Sequence, residues 1–318
     1  VPVRQTDAGE VMHPPVALLL HPAARIALSE FTVHPSTVIG LVGLGALYHW
    51  RARQVQTDCH PERAQREDCH PERAQRVEGS APHASPTSGQ RLTFFSALAL
   101  IFLSLNGWLH DLSDYYLFSA HMIQHLMLTL VAPPLLIMGT PGWMLRPALQ
   151  WPVIGTVARW VTTAPRCFLI FNIVLAVWHL PPVYGLAMAH HNVHIVQHLC
   201  FMIAATLMWW PILSPLPELP RLSYPLQMLY LFLLSIPMSL IAICIGYADH
   251  VLYPAYSSAP RIWGITPLQD QLIGALIMWV PGGLFFFVII SVVFFKWQQR
   301  EADDSPASAQ VDWKVATR

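Results

Sequence analysis

Two short phrases in this chain carry paired imidazoles: HMIQHL at 121–126 and HIVQHL at 194–199, each leading into a long apolar run. Residues four apart share one helix face, so His121 with His125, and His194 with His198, each aim two nitrogen donors at one place. Zinc proteases hold their metal with the same spacing. Imidazole-rich sets suit zinc, copper, iron or nickel, and thioethers move the preference towards Cu(I). Met122, Met127, Met188, Met202 and Met278 stand near the two phrases. The chemistry to expect is coordination of a transition metal, copper first, with zinc as the other choice.

The likeness extends beyond the phrases. Residues 106–126 and 176–199 both read Trp, His, a short turn, then His-x-x-x-His, which is the pattern of a duplicated helical hairpin. A third hairpin closes with TPLQDQLIGALIMWVPGG at 266–283 and places Asp270 where the others carry histidine. The expected metal set is therefore His121, His125, His194 and His198, joined by His179, His110 and Asp270. His125 and His198 lie one turn, about 6 Å, deeper than their partners. Asp111, Asp114 and Asp249 are placed to orient imidazoles as outer acceptors, while His190, His191 and His250 read as interfacial residues in contact with water.

What must position these side chains is a membrane bundle. Of 318 residues, 54% are hydrophobic and only 11% charged, and twelve are Trp, a composition far from the quarter or so charged that soluble domains carry. The apolar runs are long and continuous rather than alternating, which predicts helices and not a barrel. The fold class expected is all-α: a polytopic bundle of seven transmembrane helices near 34–50, 92–110, 117–139, 166–186, 192–213, 225–247 and 271–295. Fifteen of the eighteen Lys and Arg residues fall in the loops after the odd-numbered spans or in the tail. The positive-inside rule then puts the N-terminus outside and the C-terminus in the cytoplasm. Almost every histidine near a span end falls on the outer side of that topology, where a polar ring at membrane depth is a functional signal.

The domain division follows: an extracytoplasmic segment 1–33, a membrane domain 34–297 and a polar tail 298–318. The run Val16 to Leu20 is too brief for a signal-peptide core. Within the cytoplasmic loop 51–91, DCHPERAQRE at 58–67 is followed by DCHPERAQRV at 68–77. A tandem copy with nothing apolar to pack reads as a low-complexity insertion, not as a Cys-His zinc site. Acidic and basic side chains balance at 18 each, so no net field points to nucleic acid as a partner; the lipid bilayer is the one implied by composition.

At these residues the chain resembles the CtaG-type cytochrome c oxidase assembly factors of bacteria, a family of seven-helix membrane proteins. The resemblance rests on SAHMIQHLMLTLVAPPLLIMGTP (119–141), WHLPPVYGLAM (178–188), HIVQHLCFMIAATLMWWP (194–211) and LQDQLIGALIMWVPGG (268–283), and covers roughly 90–297. It implies a non-enzymatic role in the bacterial inner membrane: maturing a haem-copper oxidase by delivering copper to an oxidase subunit, with a periplasmic copper donor upstream. It also marks His121, His125, His179, His194, His198 and Asp270 as the family's polar signature. The alternative is a b-type haem protein for electron transfer, but one histidine per helix would serve that purpose and the spacing of four would be unexplained. A metallohydrolase ranks last, because no His-Glu-x-x-His occurs. A pump would want a P-loop or phosphorylation motif, and neither is in the sequence.

Overall fold

The computed structural model describes residues 31–58 and 85–304, so the tandem repeat and most of the flanking termini lie outside the described residues. Among those described, the chain is helical with no strand. The helices are α1 (Pro35–Asp58), α2 (Ser88–Leu105), α3 (Trp108–Tyr115), α4 (Phe118–Gly139), α5 (Gly142–Leu149), α6 (Pro152–Val161), α7 (Ala164–His179), α8 (Pro181–Ala189), α9 (His191–Leu213), α10 (Tyr224–Gly246) and α11 (Pro267–Asp304).

Five of these, α2, α4, α9, α10 and α11, are long and apolar enough to cross a membrane; α6 and α7, bent by 80° at their junction, make a sixth if taken as one span. α1 has the length, at 24 residues, but not the apolarity. The expected second span ends early. Gly107, at φ +66°, turns the chain after Leu105 in a conformation that favours glycine, and His110 belongs to the separate short helix α3. The expected fourth span also divides, because Pro181 and Pro182 start a new helix after Leu180. The result is one arrangement made twice: a long helix, a short one and a long one, as α2–α3–α4 and α7–α8–α9. At the far end, α11 continues to Asp304 rather than stopping at 297.

α4 is the central element, packed by α2, α3, α9 and α11. Its middle is π-helical over Met127–Val131, and the sequence explains why. Pro133 has no N–H to give the Thr129 carbonyl four residues back. That carbonyl instead accepts from the Trp209 indole of α9 at 2.9 Å, while the Thr129 hydroxyl donates to the His125 carbonyl at 2.6 Å. Helix-breaking prolines are tolerated in spans when a neighbour satisfies the freed carbonyl. Two glycines permit close approach: a Cβ at Gly139 would meet the Phe94 backbone of α2 at 2.5 Å, and one at Gly274 would run into the Phe118 ring. The main core, with Trp209, Phe201, Tyr230, Leu231, Leu234 and Phe286 fully or nearly buried, lies between α4, α7, α9, α10 and α11.

Candidate metal centre

α4 and α9 carry the paired histidines on faces turned towards each other. Within each helix the rings are 4.1 Å apart (His121 and His125) and 4.3 Å apart (His194 and His198), measured between ring centres. Across the helices His121 lies 5.6 Å from His194 with the planes nearly parallel, and His125 lies 5.4 Å from His198. All four are buried, His121 completely.

The chemistry of the cluster shows in what its nitrogens touch. Both ring nitrogens of His121, His125 and His198, and Nε2 of His194, have no hydrogen-bond partner among the described residues. A buried polar group left unpaired costs about 1–3 kcal/mol, and neutral imidazole has one donor and one acceptor to satisfy. Unpaired imidazole lone pairs on facing helices are groups that a cation can satisfy.

Asp114 supplies the charge. Its Oδ2 lies 3.3 Å from His194 Nδ1 and 3.5 Å from His110 Nε2, and donor atoms of Asp114, His121 and His194 all fall within 4.8 Å of one another, close enough to share one ion. Burial pushes the Asp114 carboxyl up, but its hydrogen bond to His194 and the neighbouring His194 and His110 outweigh this and hold it below the usual carboxylate range. Sequence reasoning gave Asp114 only an orienting role; its side chain projects from α3, whose existence as a helix apart from α2 was the unread signal.

The other expected residues are placed as follows. His110 is held by Gln124 of α4, whose Nε2 lies 3.1 Å from His110 Nδ1 and donates to the Ser104 carbonyl at 2.7 Å. His110 therefore sits at the edge of the cluster with its ring fixed. The Nδ1 of His179 donates to the Leu175 carbonyl at 2.7 Å, which leaves Nε2 as the lone-pair nitrogen, again unpartnered among the described residues. Phe201 links this ring to the cluster, 6.1 Å from His179 and 4.7 Å from His125. Asp270 is engaged elsewhere. Its carboxylate accepts from the backbone N–H of Phe118 at 2.6 Å, from that of Ser119 at 3.1 Å and from the Ser119 hydroxyl. It thus caps the N-terminus of α4, where an anion also complements the helix dipole. The structure gives it a positioning task two residues ahead of His121.

Asp111 accepts from the Thr32 hydroxyl at 2.6 Å, and Asp249 pairs with exposed His250 at 2.7 Å; neither orients a clustered ring. Two residues not foreseen lie beside the site without belonging to its donor set. His34, just ahead of α1, lies edge-on to His110 at 4.4 Å, and Tyr184 lies 5.2 Å from His121, its hydroxyl 2.7 Å from that of Tyr256.

Uncharacterized proteins of Mycobacterium bovis and Mycobacterium tuberculosis are each 22% identical over 201 residues, which is 58% of this chain and 30% of theirs. The chain thus matches about a third of the length of those curated relatives. No solved structure matches it. Residues 73–300, which hold every clustered histidine of α3, α4, α7 and α9 together with Asp114 and Asp270, match the family described as cytochrome c oxidase caa3 assembly factor, and the chain belongs to that family.

Proposed function

We propose that this protein binds copper between α4 and α9 and passes it to a subunit of a haem-copper oxidase during assembly. The observation that carries the reading is the convergence of unpartnered, buried imidazole nitrogens from two helices beside one carboxylate. His121, His194 and Asp114 form the nearer donor set, and His125 and His198 the deeper one. A carrier must release what it binds. More imidazoles than one ion needs, in contact at 4–6 Å, allow an ion to exchange one ligand for another without ever being bare. The copper is cargo, so its chemistry belongs to the oxidase that receives it.

The charge distribution supports a centre near the extracytoplasmic face of a bacterial inner membrane in a seven-span topology, with α1 and the bent pair α6–α7 counted as spans. A periplasmic donor would then load it and the oxidase subunit unload it from the same side. Zinc is the competing ion for a His and Asp set. Met202, on the α9 face of His194 and His198, and the apolar surroundings favour Cu(I). Haem would use one ring per helix and leave the second of each pair unpaired.

The test is metal analysis of the purified full-length protein loaded anaerobically with Cu(I) or with Zn(II), with and without His125→Ala and His198→Ala. Retained copper of about one ion per chain in the wild type, lost in the double variant, supports the reading. A haem Soret band, or equal copper retention in both proteins, overturns it.

A further inference from the structure

The centre is buried, and an ion delivered to it needs a route in. A cavity of about 410 Å³ lies between α1, α2 and α9, and six of its lining residues are His34, His110, His191, His194, His198 and Met202. The remaining wall is largely aliphatic. Exposure falls along the histidines: His191 is exposed, His34 half-buried, His110 buried, and His121 beyond them wholly enclosed. Ring centres step inward by 5.6 Å from His191 to His34, 4.4 Å to His110, 6.1 Å to His194 and 5.6 Å to His121. With metal–nitrogen bonds of about 2 Å, an ion can touch the next ring with small side-chain motions before it leaves the last. On α9, His194, His198 and Met202 recur every four residues, so imidazole gives way to thioether along one face of the cavity.

His34 is held where it is. Its backbone N–H donates to Asn106 Oδ1 at 2.7 Å, the Thr32 hydroxyl donates to Asp111 at 2.6 Å, and the Gly107 N–H donates to the Thr32 carbonyl at 2.8 Å. These bonds lace the segment ahead of α1 onto the corner between α2 and α3. They fix a histidine that lies outside the family-matched residues 73–300 against one that lies inside them.

We propose that this cavity is a loading vestibule for Cu(I), with His34 and His191 as its outer receiving site. The inference rests on the copper reading above and adds the direction of filling. Each step exchanges one neutral ligand for another on an ion whose oxidation state does not change, so no electron donor or acceptor is needed. Aliphatic walls offer nothing to a hydrated hard cation, the imidazoles suit copper, and the Met202 thioether moves the preference towards Cu(I).

The experiment follows Cu(I) withdrawal from its bicinchoninate complex by full-length protein in detergent, comparing wild type with His34→Ala/His191→Ala. Those substitutions leave the backbone bond from His34 to Asn106 in place. A second variant, Gly40→Leu, narrows the vestibule without touching a histidine, at a position where an added Cβ meets nothing within 4 Å. We expect both variants to bind as much copper at equilibrium as wild type but to load about tenfold more slowly, the effect of about 1.4 kcal/mol lost from the barrier-crossing state. Wild-type loading rates in both variants would overturn the vestibule and leave the copper centre standing. Equal loss of stoichiometry and rate would also overturn it, by making His34 and His191 resident ligands. Failure of the wild type itself to withdraw copper would remove the copper reading and the vestibule together.

Discussion

His121→Leu separates a metal centre from a merely crowded core, because the two make opposite predictions for stability. His121 is wholly buried, its ring 4.1 Å from His125 and 5.2 Å from Tyr184, with neither nitrogen paired among the described residues. Leucine is close to histidine in volume, so packing changes little. The substitution removes one donor and one acceptor whose isolation costs about 1–3 kcal/mol each in water-referenced scales. Polar terms inside a membrane run smaller, about 0.6–2 kcal/mol, so the metal-free variant should gain about 2 kcal/mol over wild type. Copper reverses the order. At a hundredfold excess over Kd, Cu(I) stabilises the wild type by about 2.7 kcal/mol, and the variant, short of a central ligand, gains little. Unfolding midpoints of the detergent-solubilised proteins, chelator-treated and copper-loaded, would show the variant ahead in the first condition and behind in the second. A variant that melts below wild type after chelation, by the roughly 2 kcal/mol or more expected of a disrupted core, would make His121 a packing residue and not a ligand.

Three further outcomes follow from the same geometry. His125→Ala/His198→Ala should insert normally yet leave the oxidase without its copper, read as copper per oxidase in purified membranes; a normal ratio would dissociate the deeper rings from assembly. Asp114→Asn keeps the shape but removes the anion between His194 and His110, and should weaken Cu(I) affinity by about 10–100-fold in chelator competition, whereas Asp270→Asn should cost about 1 kcal/mol of stability by loosening the α4 cap and leave affinity unchanged; a reversal of the two would exchange their roles. Trp209→Phe withdraws the indole that the Thr129 carbonyl accepts from and should destabilise by about 1–3 kcal/mol, with increased hydrogen exchange confined to Met127–Val131; an unchanged exchange pattern would mean the π-helical turn holds itself.

Much of the bundle was legible because hydrocarbon is a simple solvent. Continuous apolar runs had to be helices, and the bounds expected for α4, α9 and α10 agree with those observed to within a residue. Differences arise where backbone geometry, rather than hydropathy, ends a helix. Asn106-Gly107 lies in surroundings apolar enough to suggest the interior of a span, yet Gly107 takes a positive φ and Asn106 turns its amide to the Phe102 carbonyl and the His34 N–H. Leu180, in extended backbone ahead of Pro181 and Pro182, breaks the fourth run by a different device. α6 meets α7 at 80°, a bend that hydropathy over 152–179 does not record.

The same distinction separates what was readable in the site from what was not. A spacing of four is a local property, so the two phrases by themselves specify which rings share a face. Which carboxylate meets those rings is a property of the corner between spans. Asp114 and Asp270 are equally plausible by type, and both are near a span end. The three-residue step from Asp111 to Asp114 on α3 turns one towards Thr32 and the other towards His194, while Asp270, one turn into the path of α11, meets the bare N–H groups of α4 before it can meet a histidine. An uncapped helix end is a strong competitor for an anion, worth about 1 kcal/mol in hydrogen bonding and more where buried. That competition assigns the two acids: Asp270 finds the helix N-terminus and caps α4, and Asp114 is left facing the imidazoles of His194 and His110.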